Sequence, residues 1–290
     1  MRQYEIRFAS YNNELYPKWI TALVIEPERT GPRTGAMLFS HGWGGNRFLL
    51  RDRMEYTCEK FDLVCVGVEY RQSGYDFDAV TGLGAFSPYD ASFLQTLDVL
   101  NGLRTVLASR PGLDRGRLFH YGQSQGGHIA LLSAIYAPNT FAFVYGSSPL
   151  TFLGEDQFRW SGRDFSAWEL SARNVQEHAE RIRCPVVLEH GTADPFLPWK
   201  LHSGALAERL RKLGKKVTLK LYEGGDHAFQ PTITKFEAFK KLAPGPMRKL
   251  RNRAKDDFLA GSVIEIPCAG TAVRIDWSKP AGSGEMVRRQ

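Results

Sequence analysis

No run of this sequence approaches the roughly 18 consecutive apolar residues that span a bilayer. Its first residues, MRQYEIRFASYNN, carry charge every few positions and lack the apolar segment of a secretory signal, so a soluble, cytoplasmic protein that binds no membrane is expected. Cysteine is scarce: Cys58, Cys65, Cys184 and Cys268 are four in 290 residues, and none sits in a CxxC pair. That spacing argues against a disulfide framework and against a metal site, leaving reduced, mostly buried thiols. Internal repeats and low-complexity tracts are also missing, which removes solenoid architectures.

What is present is a globular composition, 43% hydrophobic and 12% aromatic, long enough for one large domain over 1–290. The net charge is +7, and the excess falls late: Lys235 to Lys255 holds eight Lys or Arg against one Glu. With almost no aromatics interleaved, this run reads as a solvated helix face rather than a nucleic-acid site.

Apolar runs alternate with stretches of helical period. Candidate strands cover Tyr4 to Ala9, Trp19 to Ile25, Ala36 to Ser40, Leu63 to Glu69, Arg117 to Tyr121, Phe141 to Tyr145, Pro185 to Glu189 and Val217 to Tyr222. Runs such as LVCVGV and FAFVY are apolar without alternation, as in a parallel sheet covered on both faces. Helical stretches at Ala91 to Ala108, Gly126 to Tyr136, Lys200 to Leu213 and Thr234 to Leu242 lie between them. The pattern predicts an α/β fold: a doubly wound, mostly parallel, eight-stranded sheet with an antiparallel start. Ligands then bind at the carboxyl ends of the strands. Two stretches break the rhythm. Residues 150–180 are an aromatic-rich insertion, read as a small cap over an apolar pocket. The extension over 245–290 contains a candidate hairpin around Cys268-Ala269-Gly270, followed by a Gly/Ser-rich tail expected to fray.

Gly122-Gln123-Ser124-Gln125-Gly126 fits G-x-S-x-G, with the strand LFHY before it and the helix GHIALLSAIY after it. A serine held on so sharp a turn projects its hydroxyl clear of the sheet, and the flanking glycines avoid collisions with strand and helix. A serine hydroxyl attacks only if a base takes its proton and a carboxylate holds that base in the right tautomer. In this arrangement acid and histidine follow the serine in that order. His227, on the Gly-rich loop after VTLKLY, is the better base than His202, which sits in a helical stretch. Asp194, in HGTADPFLP beyond the strand VVLEH, is the preferred acid; Asp226 ranks well behind, and Glu189 lies within the strand itself. Backbone N–H groups of Gln125 and of Trp43, in Ser40-His41-Gly42-Trp43-Gly44-Gly45, are the candidate oxyanion donors. Phe48, Phe196 and Phe229 are candidate pocket residues by position alone.

Taken together, HGWGG, GQSQGG, HGTADPFLP and GGDHAF resemble the α/β-hydrolase superfamily over roughly residues 15 to 240. EYRQSGY, from Glu69 to Tyr75, and the GQSQGGH elbow are similar to the catalytic domains of the prolyl-oligopeptidase-like branch and to acetyl-ester and dienelactone hydrolases. The oligopeptidases tend to place a tyrosine where this chain has Trp43, and dienelactone hydrolases use cysteine where it has Ser124. The resemblance implies a serine carboxylic-ester hydrolase with a small-molecule ester substrate, without cofactor or metal. An amidase or exopeptidase with the same triad, an acyltransferase and a non-catalytic binding protein stay open as alternatives. Acyl length, alcohol and oligomeric state are not written in the sequence.

Overall fold

The computed structural model describes residues 1–12, 17–74 and 89–290, so Tyr75 of the EYRQSGY stretch lies outside the described residues. One sheet is built from β1 (Arg2–Ser10), β2 (Lys18–Glu26), β3 (Gly35–Ser40), β4 (Leu63–Glu69), β5 (Leu118–Gln123), β6 (Phe143–Ser147), β7 (Val186–Gly191) and β8 (Val217–Tyr222). Its spatial order is β1-β2-β4-β3-β5-β6-β7-β8. β1 with β2 and β2 with β4 are antiparallel; every later pairing is parallel. The antiparallel start and the parallel remainder are as the sequence predicts.

Alternate strand residues feed two cores, one on each face. Leu38, Val66, Leu118, Val144 and Leu188 point to the side covered by α2 (Leu94–Ser109), α3 (Gln125–Tyr136) and α6 (Ala205–Lys212). Met37, Cys65, Tyr121, Tyr145 and Val187 point to the side covered by α1 (Arg51–Phe61), α7 (Lys235–Leu242) and α8 (Pro244–Lys249). Burial on both faces is why these strands read as unbroken apolar runs. Cys58, Cys65 and Cys184 are buried within these layers, Cys268 is half-buried, and all four are free thiols.

The chain leaves β3 toward β4 on one side and returns to β5 on the other, with Ser40 beside Gly122 in the parallel register. That reversal is the point at which a doubly wound sheet opens a crevice beyond its carboxyl ends. The turns after β3 and β5, which hold Trp43 and Ser124, border it.

The insertion after β6 folds into α4 (Glu155–Ser161) and α5 (Ala167–Ala172). Its aromatics serve mainly packing: Phe158 lies against Phe165, Trp168 against Phe93, and Phe152 against His202. Trp160, 42% exposed, reaches the edge of Trp43 at 5.9 Å. After α9 (Asp257–Ala260), β9 (Val263–Cys268) and β10 (Thr271–Asp276) form the hairpin around Ala269-Gly270. The tail does not fray as expected. It turns back and adds β11 (Val287–Arg289) to β10, while fully buried Trp277 donates its indole N–H to the Tyr136 carbonyl at the end of α3 (2.9 Å). Among the described residues no helix is long and apolar enough to cross a membrane.

Candidate active site

Ser124 joins β5 to α3 with φ 56° and ψ −121°, a left-handed conformation that costs a non-glycine residue about 1–3 kcal/mol. Its neighbours explain how the turn closes. A Cβ on Gly122 would stand 1.9 Å from the Gly126 carbonyl oxygen, and one on Gly126 would stand 2.0 Å from that of Ser40. Both contacts are with backbone, so no side-chain rotation relieves them, and glycine is required on either side of the serine.

Beyond β7 and β8 the backbone loops interlock. A Cβ on Gly191 would meet the carbonyls of Gly225 and Asp226 at 2.2 Å, so glycine at the end of β7 lets the histidine loop lie against the acid loop. The Ala193 amide donates to the Gly225 carbonyl (2.9 Å). In this arrangement His227 Nδ1 donates to Asp194 Oδ2 at 2.6 Å. Asp194 is buried and also accepts from the amides of Phe196 (2.9 Å) and Leu197 (3.0 Å). Burial pushes its pKa up, but the hydrogen bonds from His190, His227 and Leu197 outweigh that and hold the carboxyl well below the usual range.

Sequence reasoning gives His190 no role, because it seeks a histidine that follows the acid and His190 precedes Asp194. Its Nε2 lies 3.0 Å from Asp194 Oδ2 and 2.9 Å from the Leu197 carbonyl. Both partners are acceptors, so Nε2 carries the proton, and Nδ1 is left to accept from the Ser203 hydroxyl at 2.7 Å. The signal was the histidine beside the glycine that ends β7. It is readable only once that strand and the loop after it are seen to fold back together.

The other acids have structural work. Asp226 Oδ1 accepts from the amides of Ala228 and Gln230 and so shapes the histidine loop. Glu189 is fully buried; burial pushes its carboxyl up to about 7, and Tyr222 donates to it at 3.2 Å. His202 is bonded through Nδ1 to the Thr151 amide, and burial lowers its pKa to about 4.

Ser124, His227, Trp43 and Gly42 line one cleft of about 510 Å³, within the range of small-molecule sites. Gln125 is the first residue of α3, so its backbone N–H has no intrahelical acceptor. Its side chain is held behind by Gln95 and Tyr89, and the Tyr89 ring lies 4.5 Å from Trp43. The Trp43 turn is braced by the Tyr70 hydroxyl on the His41 carbonyl (2.9 Å).

The proposed pocket residues fare unequally. Phe196 is 56% exposed and meets His227 edge-on at 5.8 Å. Phe229 has φ 71° and turns its ring into the core against Tyr222, so it does not line the cleft. Phe48 packs on the core under α1 with Arg47 over its ring, and its neighbours Leu49 and Arg53 face the cleft instead. Lys235, which sequence reasoning placed on a solvated basic face, also lines the cleft. Among the described residues no cluster of three or more His, Cys, Asp or Glu side chains is arranged to hold a metal.

A family model for esterases matches residues 68–247, a span that includes the serine turn, the acid loop and the histidine loop. The chain belongs to the esterase family. This esterase-family chain has the α/β-hydrolase fold, and it is similar to an acylaminoacyl peptidase solved in complex with Z-Gly-Gly-Phe-chloromethyl ketone, at 18% identity and a TM-score of 0.71 over 87% of this chain and 42% of that one. The uncomplexed Pyrococcus horikoshii acylaminoacyl peptidase gives 19% identity and 0.71 over 87% and 42%. A puromycin-hydrolyzing peptidase of Mycobacterium tuberculosis gives 20% and 0.60 over 77% and 36%. The chain thus spans about two fifths of the length of these peptidases.

Proposed function

We propose that this hydrolase cleaves carboxylic esters of small molecules through Ser124, His227 and Asp194. The observation that carries the reading is the pairing of a strained serine with an acid-linked histidine on one cleft: Ser124 at φ 56° and His227 bonded to Asp194 at 2.6 Å. Ser124 Oγ attacks the ester carbonyl while His227 Nε2 takes its proton. Asp194 holds the ring with Nδ1 protonated and stabilises the imidazolium that forms. The amides of Gln125 and Trp43 receive the developing oxyanion, each worth several kcal/mol of transition-state stabilisation. His227 then protonates the leaving alcohol, and water activated by the same nitrogen releases the acid. No step calls for a cofactor.

Amide or peptide hydrolysis with the same groups is the second reading, and the peptidases of like fold favour it. Hydrolysis of p-nitrophenyl esters compared with matched anilides decides: esters turned over far faster support the esterase, and comparable rates on both favour the amidase. Labelling of Ser124 by a fluorophosphonate tests the nucleophile itself. A chain that stays unlabelled while a control hydrolase reacts contradicts both readings and leaves a binding protein.

A further inference from the structure

The cleft that holds Ser124 and His227 is lined by two cationic side chains, Arg53 and Lys235, and by no carboxylate among the described residues. Resting on the hydrolase reading above, we infer that this cleft selects substrates bearing a carboxylate, which Arg53 and Lys235 grip while Ser124 attacks a carbonyl elsewhere in the same molecule.

Arg53 stands on α1 and Lys235 opens α7, so helices on one face of the sheet deliver both charges to the cleft. The Arg53 side chain is only 9% exposed. Asp52, itself half in solvent, engages one edge through Nη1 at 2.9 Å, while Arg53 Nε is buried with no hydrogen-bond partner among the described residues. Lys235 is half-buried, and its Nζ lies 5.2 Å over the Phe229 ring; among the described residues it makes no hydrogen bond or ion pair. Phe229, turned inward, thus acts as the floor for this ammonium.

The carboxylates of Glu189, Asp194 and Asp226 act on Lys235 from outside the cleft lining, but none makes an ion pair with it, so its ammonium keeps its donors for a negative group that enters. With Nη1 engaged by half-exposed Asp52, the Arg53 guanidinium and the Lys235 ammonium are the two cationic groups that the cleft offers to a carboxylate. The cleft has room for such a group together with the scissile carbonyl.

Two matched ester pairs test this, since the carboxylate can sit on either side of the scissile bond. On the acyl side, mono-p-nitrophenyl adipate is compared with p-nitrophenyl 6-methylheptanoate; on the leaving side, 4-acetoxybenzoate is compared with 4-acetoxybenzamide. The wild-type protein should favour the anionic member of at least one pair by about 10- to 100-fold in kcat/KM, in proportion to a charged hydrogen bond gained. Lys235→Met should remove most of that ratio and Lys235→Arg should restore it. Raising salt should weaken the preference in the wild type, a readout that needs no variant to fold. Neutral esters turned over with no anionic preference in either pair overturn the inference and leave the hydrolase standing. A ratio unchanged by Lys235→Met overturns it equally. Failure to hydrolyse any of the four, with Ser124 unlabelled by fluorophosphonate, refutes the hydrolase reading beneath it.

Discussion

His227 Nδ1 stands 2.6 Å from Asp194 Oδ2, a short charge-assisted contact to a carboxylate that is itself fully buried. If that carboxylate fixes the tautomer of the base, Asp194→Asn keeps the shape and loses the chemistry. We expect kcat to fall by about 10⁴ with KM little changed. Steady-state kinetics on an activated ester measure it; a drop of less than tenfold would remove Asp194 from the mechanism.

Asp194 is held from behind as well as in front. His190 donates to the same oxygen at 3.0 Å and is locked by Ser203 and Leu197, so it is a positioning residue for the acid. Replacing it by Phe removes one of the bonds that keep the Asp194 carboxyl ionised. The expected result is a 10- to 100-fold loss in kcat, on the order seen when outer partners of a site are removed. The acid limb of the pH–rate profile should move as well, a change that loosened packing alone would not produce.

As the proposed base, His227 must be neutral to accept a proton, and its pKa is lowered from the ordinary histidine value: burial contributes most and the nearby Lys235 charge adds to it, while the Asp194 bond opposes. Turnover of a neutral ester is therefore retained as pH falls through about 6.5 and lost only below that. With Lys235→Met, one cation facing His227 is gone while Asp194 and His190 remain. The acid limb should then move to higher pH. An acid limb at or above pH 7 in the wild type contradicts the assignment of His227 as the base.

Much of this could be read from the residues in order, because the features concerned are local or repeat along the chain. Strands buried on both faces announce themselves as apolar runs, and the serine turn carries its glycines within two residues on either side. The Ser, Asp, His order follows from successive strand ends. What could not be read depends on which way a side chain turns at a loop. Phe229 sits two residues past His227, yet its positive φ goes with a ring turned inward, while Lys235, at the start of α7, faces the cleft. His190 was hidden for a related reason: its partner lies four residues on, but only the fold of 191–194 brings them together. The tail read as frayed from its glycines and serines, although Val287 to Arg289 have a waiting strand edge in β10.

That tail makes a prediction about stability. Trp277 is completely buried against Phe258, with its indole N–H on the Tyr136 carbonyl, so it pins the small C-terminal sheet to the end of the helix that begins at the candidate nucleophile. Trp277→Ala removes a large buried ring and leaves a buried carbonyl unpaired. The expected cost is about 3–5 kcal/mol in denaturant unfolding. A loss under about 1 kcal/mol would mean that the extension is not anchored there.

Ser124 itself carries the reverse expectation. At φ 56° and ψ −121° it occupies a conformation that glycine adopts without penalty. The strain of about 1–3 kcal/mol exceeds the roughly 0.5–1 kcal/mol that glycine costs through added freedom in the unfolded chain. Ser124→Gly should therefore unfold at a higher temperature than the wild type while losing all turnover. Ser124→Ala, which keeps a Cβ and hence the strain, should be equally inactive without the gain. A glycine variant that melts below the alanine variant, by the roughly 0.5–1 kcal/mol that its added chain freedom costs, would show that the turn stores no strain, and the conformation would then need another explanation than presentation of the hydroxyl.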